Sequence, residues 1–421
     1  MLLAAFRVRS FRFQWPADLL TQCAFEMETL ILGWYVMVNT GSVLLLTAFG
    51  SLQFLGTLAA PMFGVLGDAL GGRVMLCAMR SVYAVLAALL MVLALAGVLT
   101  PMWVFVIAGL VGIVRPNDQV LRNSLIGETI PPADLIGALG LSRASVDSAR
   151  VAGALTGAGL STVLGIGFAY VVVTSVYLAS LALTFGISGS RPMPDPGAAP
   201  RRTTALRTSS WRDLKDGLVH VLTTPTLLAL MWLAFLVNLT AYPVTSGLLP
   251  YVARSVYRVD ATGLGWLAAS FSLGGLLGSM ITVMTGGPRR PERSMLVNTV
   301  IWYALLFGFG HVPGMTAAVP TLLLAGLVQS MAMISMTGTL LAVAGDRFRA
   351  RVMGVRMLAV YGMTVGLIGS GALIERVGYS LTISAFCTVG LVFTLIIGIR
   401  WRDSMWQRKR ALPTAPPSIA S

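Results

Sequence analysis

Long apolar runs, one after another, constrain this chain more than any other feature. A helical bilayer crossing takes about 20 mostly apolar residues. Runs of that length fall near 15–39, 43–67, 74–97, 101–127, 137–163, 167–188, 222–250, 261–286, 294–312, 316–343, 351–375 and 378–400. Apolar residues make up 56% of the chain and charged ones 11%, with mean hydropathy +0.82, so most of the 421 residues cannot be a solvated surface wrapped around a core. The spacing predicts an all-α membrane protein of twelve transmembrane helices, with no room for a large domain outside the bilayer. The first run lacks a small-residue cleavage site and is followed by many more spans, so it reads as a retained helix.

The stretch from Arg191 to Lys215, rich in Pro, Ala, Thr and Arg, is the one long polar segment between spans. It divides the chain into an N-terminal six-helix bundle (1–190), a cytoplasmic linker (191–216), a C-terminal six-helix bundle (217–401) and a cytoplasmic tail (402–421). Each half also joins its fourth and fifth spans through a short polar turn, Glu128-Thr-Ile-Pro-Pro-Ala-Asp in the first and Gly345-Asp-Arg-Phe-Arg-Ala-Arg in the second. Repeated halves suit alternating access, in which one bundle rocks against the other around a midplane site.

A net charge of +14 in a soluble protein would point to nucleic acid. Its distribution here points elsewhere. Arg7, Arg9, Arg12, Arg73, Arg80, the central Arg201, Arg202, Arg207, Arg212 and Lys215, then Arg289, Arg290, Arg293, Arg347, Arg349, Arg351, Arg402, Arg408, Lys409 and Arg410 all fall on one side of a twelve-span chain. The opposite loops hold only Arg254, Arg258 and Arg376. The positive-inside rule then places both termini in the cytoplasm of a multi-pass protein of the plasma (inner) membrane.

Enzyme chemistry finds no foothold. Cys23, Cys77 and Cys387 are far apart inside apolar runs, His220 and His311 stand alone, and Gly274-Gly-Leu-Leu-Gly278 lies within an apolar helix instead of following a strand. The chain is expected to be no enzyme, to hold no metal or cofactor, and to work as a monomer. Its expected partners are a small-molecule substrate, protons and membrane lipid, with no nucleic acid.

Between the second and third spans, Gly64-Val-Leu-Gly-Asp68-Ala-Leu-Gly71-Gly-Arg73 resembles the signature loop of the major facilitator superfamily, Gly-x-Leu-Ala-Asp-Arg-x-Gly-Arg-Arg. Gly64, Asp68, Gly71 and Arg73 match, while Ala69 and Gly72 stand where basic residues are usual. The location inside a six-plus-six layout extends the resemblance over essentially the whole chain. Phe11-Arg-Phe-Gln-Trp-Pro-Ala-Asp and Thr40-Gly-Ser look more like the branch of the enterobactin exporter and macrolide efflux pumps than like sugar permeases. The resemblance implies a cytoplasmic latch in which Asp68 pairs with Arg73 or Arg122, and Arg143 belongs to the same set. The plainer alternative is that Asp68 and Arg73 end a tight turn.

Ionisable groups in hydrocarbon need a partner or a function. They concentrate in the N-half: Glu26 and Glu28 on the first span, Arg115, Asp118 and Arg122 on the fourth, Arg143, Asp147 and Arg150 on the fifth. Spacings of three and four keep each set on one helical face. Reversal at Pro131-Pro132 would set Arg115 level with Arg150, Asp118 with Asp147 and Arg122 with Arg143, each Asp about a turn from Arg on the facing helix. Four Arg and two Asp leave two positive charges, which Glu26 and Glu28 offset. Two positions apart means about 200° apart, so one Glu should face the cavity and the other a neighbouring helix. Gln22 and Asp18 lie on the same side as Glu26 and give it a polar lane toward the cytoplasm, which favours Glu26 for the cavity. Burial disfavours a charged carboxyl and adjacent Arg favours it, so such a group could exchange a proton or trade places with a polar substrate group. The competing reading is a static ion-pair network that holds the bundle together.

By resemblance the first, fourth, seventh and tenth spans line the cavity. Asn238, Thr240 and Tyr242 on the seventh, with Pro243, and Gln329, Ser330, Ser335 and Thr337 on the tenth, are neutral candidates for substrate contact or for interhelical bonding. With Trp232, Phe235 and Phe271 they make an amphipathic cargo a better fit than a sugar. Small residues Gly153, Gly157 and Ala158 on the fifth span, and Gly362, Gly366, Gly369 and Gly371 on the eleventh, serve either close packing or a sliding surface. The expectation is proton-coupled efflux by alternating access, that is, antiport. An importer or a lipid flippase is the transport alternative, and a non-transporting receptor or scaffold is the alternative of another class.

Overall fold

The structure is a computed structural model that describes residues 4–57, 71–130, 132–187 and 211–402. In chain order the spans are α1 (Arg9–Thr40), α2 (Val43–Leu52), α3 (Gly72–Leu95), α4 (Pro101–Thr129), α5 (Pro132–Val163), α6 (Gly165–Phe185), α7 (Pro225–Thr240), α8 (Ala261–Met284), α9 (Pro291–Phe309), α10 (Met315–Leu358), α11 (Tyr361–Val377) and α12 (Tyr379–Arg400). They form the twelve-span, two-bundle membrane fold that the apolar runs require. Helices are the natural choice here because each one satisfies its backbone internally where lipid offers no hydrogen bonds.

Local sequence sets the helix ends. Pro101, Pro225 and Pro291 open α4, α7 and α9 in first-turn positions, where a missing N–H costs nothing. Gly41 ends α1 at φ 65°, a left-handed value that glycine adopts freely. Ser42 then caps α2, its Oγ accepting from Leu45 N–H at 3.2 Å. Within α10, Gly345 takes φ 67° and ψ 165°, so the backbone leaves helical geometry there. The apolar spans on either side are Met315–Gly345 and Arg351–Val377. The polar linker ends in a further helix, Trp211–Thr223, which runs across the boundary expected at 216. Its Asp216 meets Arg351 at 3.4 Å, and its His220 stacks on Phe348 at 4.2 Å.

The seventh span is interrupted. After Thr240 the chain passes through wide turns at Pro243–Gly247 and Val252–Val256, with Leu248 N–H bonded to Pro243 C=O and Tyr257 N–H to Val252 C=O, each five residues back. Pro243 and Pro250 supply no N–H, so the regular ladder cannot run through them.

One apolar core fills the C-terminal bundle around Leu230, Leu233, Trp302, Tyr303 and Leu322, and another fills the N-terminal bundle around Ile31, Leu46, Tyr83, Leu90 and Tyr170. The halves meet along the part of the bundle remote from the termini. Gly371 of α11 faces Thr47 and Leu44 of α2 so closely that a Cβ would stand 2.2 Å from Thr47 Oγ1. Gly265 of α8 meets Ala158 of α5 in the same way. Across this seam Glu375 Oε1 accepts from Ser42 Oγ at 2.9 Å and from Leu44 N–H at 3.3 Å, a carboxylate at the N-terminus of a helix in the other half. The small residues thus divide their labour. Gly153 and Gly157 pack on α1, and Gly362 and Gly366 on α7, within their own bundles, while Ala158 and Gly371 form the seam.

Candidate functional site

The two glutamates of α1 point to different surroundings. Glu26 sits on a partly open wall, its side chain 20% exposed. Gln22 Nε2, one turn earlier, donates to Glu26 Oε1 at 2.7 Å, and Arg150 Nε of α5 approaches the same oxygen at 3.5 Å. Arg150 Nη1 also reaches Asp147 Oδ1 at 3.6 Å, and with 43% of its side chain exposed it stands at the edge of open space. Glu28 is buried and accepts from Tyr177 Oη of α6 at 2.9 Å.

Arg115 of α4 stacks on the Phe25 ring and donates to Gln53 Oε1 at 2.6 Å. Asp118 and Arg122, both buried, pair at 2.8 Å along α4, and Gln14 Nε2 donates to the Arg122 carbonyl at 3.1 Å. Among the described ion pairs, those of α4 and α5 close along each helix, as spacings of three and four favour. Among the described ion pairs, the one that joins α5 to another helix runs from Arg150 to Glu26 of α1.

Two expectations require correction. Arg80 is not a solvated basic residue of the turn before α3. It is fully buried, bonded to Asp18 and Thr184. Asp18 accordingly does not extend the lane of Gln22 and Glu26. Eight residues separate Asp18 from Glu26, which places them about 80° apart around the helix, enough to turn Asp18 to α3.

In the signature loop, Gly71 is described at φ 85°, and Arg73 Nη2 donates to the Phe185 carbonyl at 2.6 Å. Gly64 and Asp68 lie outside the described residues, as does the side chain of Arg143. Arg122 is engaged with Asp118, deep in α4.

The facing half contributes neutral groups. Gln329 Nε2 of α10 donates to Tyr242 Oη at 2.7 Å, linking the interrupted span to its neighbour, and Tyr242 lies within electrostatic reach of Arg150 across the halves. Asn238 and Ser335 bond carbonyls of their own helices, Thr240 bonds Tyr303 Oη at 2.7 Å, and Thr337 accepts from Arg356 at 2.9 Å. Trp232 is 54% exposed beside half-buried Phe235, with ring centroids 6.4 Å apart, and Phe271 is half-buried. Together the polar groups build a line from Gln22 through Glu26 and Arg150 to Tyr242 and Gln329.

Sequence reasoning missed the groups behind this line. Tyr170, Thr174 and Tyr177 follow one another at four and three residues on α6, and Ser180 and Thr184 continue below them, all buried. That spacing marks a single polar face, and it supplies partners to Glu28, Thr21 and Arg80.

A two-bundle helical membrane fold with an interrupted span and a charged, partly open interface between its halves defines a secondary transporter, not an enzyme in the usual sense. The family model described as Major Facilitator Superfamily matches residues 19–361, and the chain belongs to that family. Solved structures of the same fold include a bacterial homologue of the human lysosomal transporter Spinster in an inward-facing, unoccupied conformation. It has TM-score 0.70 and 15% identity, covering 95% of this chain and 99% of that one. A variant of the nucleoside transporter NupG gives 0.69 and 15%, over 94% and 100%, and a D-xylose–proton symporter gives 0.68 and 13%, over 92% and 97%. A search of curated protein sequences finds no match to this chain.

Proposed function

We propose that the chain exports a small amphipathic molecule by alternating access, in exchange for protons, as the resemblance to the enterobactin and macrolide exporters implies. The loop arginines put the termini in the cytoplasm of an inner-membrane protein. With that orientation, the seam of α2 with α11 and α5 with α8 closes the outer face, and the halves 1–190 and 217–401 rock about it. The observation that carries the reading is the Glu26–Arg150 pair. At 3.5 Å it is long for an ion pair, and it stands partly exposed opposite Tyr242. A charged or polar group of the cargo can enter this pair and exchange one partner for another, while Trp232, Phe235 and Phe271 take its apolar part.

Accumulation of a broad metabolite and drug panel in cells lacking and overproducing the protein, with and without an uncoupler, tests this. Export predicts that at least one amphipathic compound falls on overproduction and recovers with the uncoupler. A flat response to both manipulations would refute it, and accumulation driven by the gradient would make the protein an importer.

A further inference from the structure

The linker helix Trp211–Thr223, which a single residue separates from α7, has two unlike faces. Its inner face is a fitted contact with the joint that follows Gly345. Gly217 lies so close that a Cβ there would stand 3.0 Å from Cβ and from the carbonyl oxygen of Arg351. His220 and Val221, three and four residues further on, share that side of the helix. His220 stacks on Phe348 at 4.2 Å and 15°, Val221 is buried, and Asp216 meets Arg351 at 3.4 Å.

The outer face is of another kind. Leu218, Val219 and Leu222 are between 41% and 56% exposed, beside exposed Lys215 and Thr223. Neither water nor hydrocarbon suits this mixture, since water leaves three apolar side chains solvated and hydrocarbon strips the ammonium of Lys215. The boundary between acyl chains and headgroups serves both, as it does for amphipathic helices with a basic polar side. Position agrees with composition. Pro225 opens a span, so the linker helix stands where the hydrocarbon ends. Trp211 precedes Leu218 by seven residues and Leu222 by eleven, close to whole turns, and tryptophan is enriched at that boundary.

Charge selects the lipid. The helix carries Arg212 and Lys215, and of its two acidic residues Asp216 is paired with Arg351. The chain that feeds it, Arg201-Arg-Thr-Thr-Ala-Leu-Arg207, has no acidic residue; it lies outside the described residues and counts here only as charge in the sequence. Each Lys or Arg beside an anionic leaflet strengthens binding by about fivefold.

We propose that the linker helix docks on anionic lipid headgroups and thereby clamps the joint between the tenth and eleventh spans. Its outer face takes the leaflet through Lys215, Arg212 and the exposed Leu218, Val219 and Leu222. Its inner face passes that anchorage to Phe348 and Arg351, at the end of the span that carries Gly371 of the seam. The charge of the surrounding lipid thus bears on how freely the C-terminal half moves, whatever the cargo and whichever way it travels.

Hydrogen–deuterium exchange of the full-length protein in phosphatidylcholine nanodiscs, with and without phosphatidylglycerol, reads both parts of the claim. Amides of 211–223 should exchange more slowly in the anionic discs, by about fivefold or more. Those of 346–358 should slow with them. Arg212→Gln together with Lys215→Gln should abolish the difference, with α3 exchanging as in the wild type to show an intact fold. Gly217→Leu, which wedges the helix off Arg351, should keep the lipid effect on 211–223 and lose it at 346–358. Equal exchange in the two discs would mean that something other than anionic lipid covers the face, such as the chain's own tail, and would overturn the proposal. So would a difference that ignores the loss of both cations, a wild-type effect that never reaches 346–358, or one that still reaches it in Gly217→Leu.

Discussion

The two bundles are built to one plan and filled with different chemistry. In the N-terminal half, Asp18 with Arg80, Asp118 with Arg122, and Glu26 and Asp147 with Arg150 place ion pairs inside the spans. In the C-terminal half the contacts of α7 and α10 are largely between neutral groups, Gln329 to Tyr242 and Thr240 to Tyr303, with Arg356 donating to Thr337. Five of the seven spans that stand out by length and hydropathy, α7, α8, α10, α11 and α12, are C-terminal, whereas α1, α4 and α5 fall outside that set. Those three are the helices that carry the ionisable residues of the candidate site. The difference teaches that the buried ion pairs gather in one half, while the other presents a largely neutral wall around a broken helix.

The comparison breaks most readily at its most buried pair. Arg80→Met should strand the Asp18 carboxylate and cost about 3–5 kcal/mol, the scale for removing one partner of a buried pair. Thermal melting of the purified protein would show a large drop, and adding Asp18→Asn should recover most of it. A bulky residue at the seam comes next: Gly371→Val drives a side chain into Thr47 and Leu44, and the outer closure should loosen. Cysteine-accessibility labelling from the outside at the cavity wall should then rise. Removing the carboxylate that caps α2 across the seam, Glu375→Ala, acts in the same direction but weakly, by about 0.3–1 kcal/mol at an exposed helix terminus. Tyr242→Phe in the neutral half removes a hydrogen bond worth about 0.5–1.5 kcal/mol net. Its melting shift should be several-fold smaller than that of Arg80→Met. Equal losses for the two would erase the contrast between the halves.

Much of this was legible in the sequence because lipid leaves so few solutions. Apolar runs located the spans, and the separation of Glu26 from Glu28 followed from helix geometry alone. What escaped was depth and azimuth. Arg80 lies two turns into α3, where distance along the chain does not tell a snorkelling residue from a buried one, and only the partner Asp18 on another helix decides. Asp18 faces α3 and not the side of Glu26 because eight residues do not complete whole turns. The polar stripe from Tyr170 to Thr184 was present in the spacing, but its hydroxyls carry no charge to draw the eye.

The most direct test of the account compares uphill export of a responding compound across external pH for the wild type and Glu26→Gln, each at normal expression. The account predicts that Glu26→Gln binds the compound more weakly and that its export no longer follows external pH as the wild type's does. Glu26→Gln pumping like the wild type at every pH would contradict it.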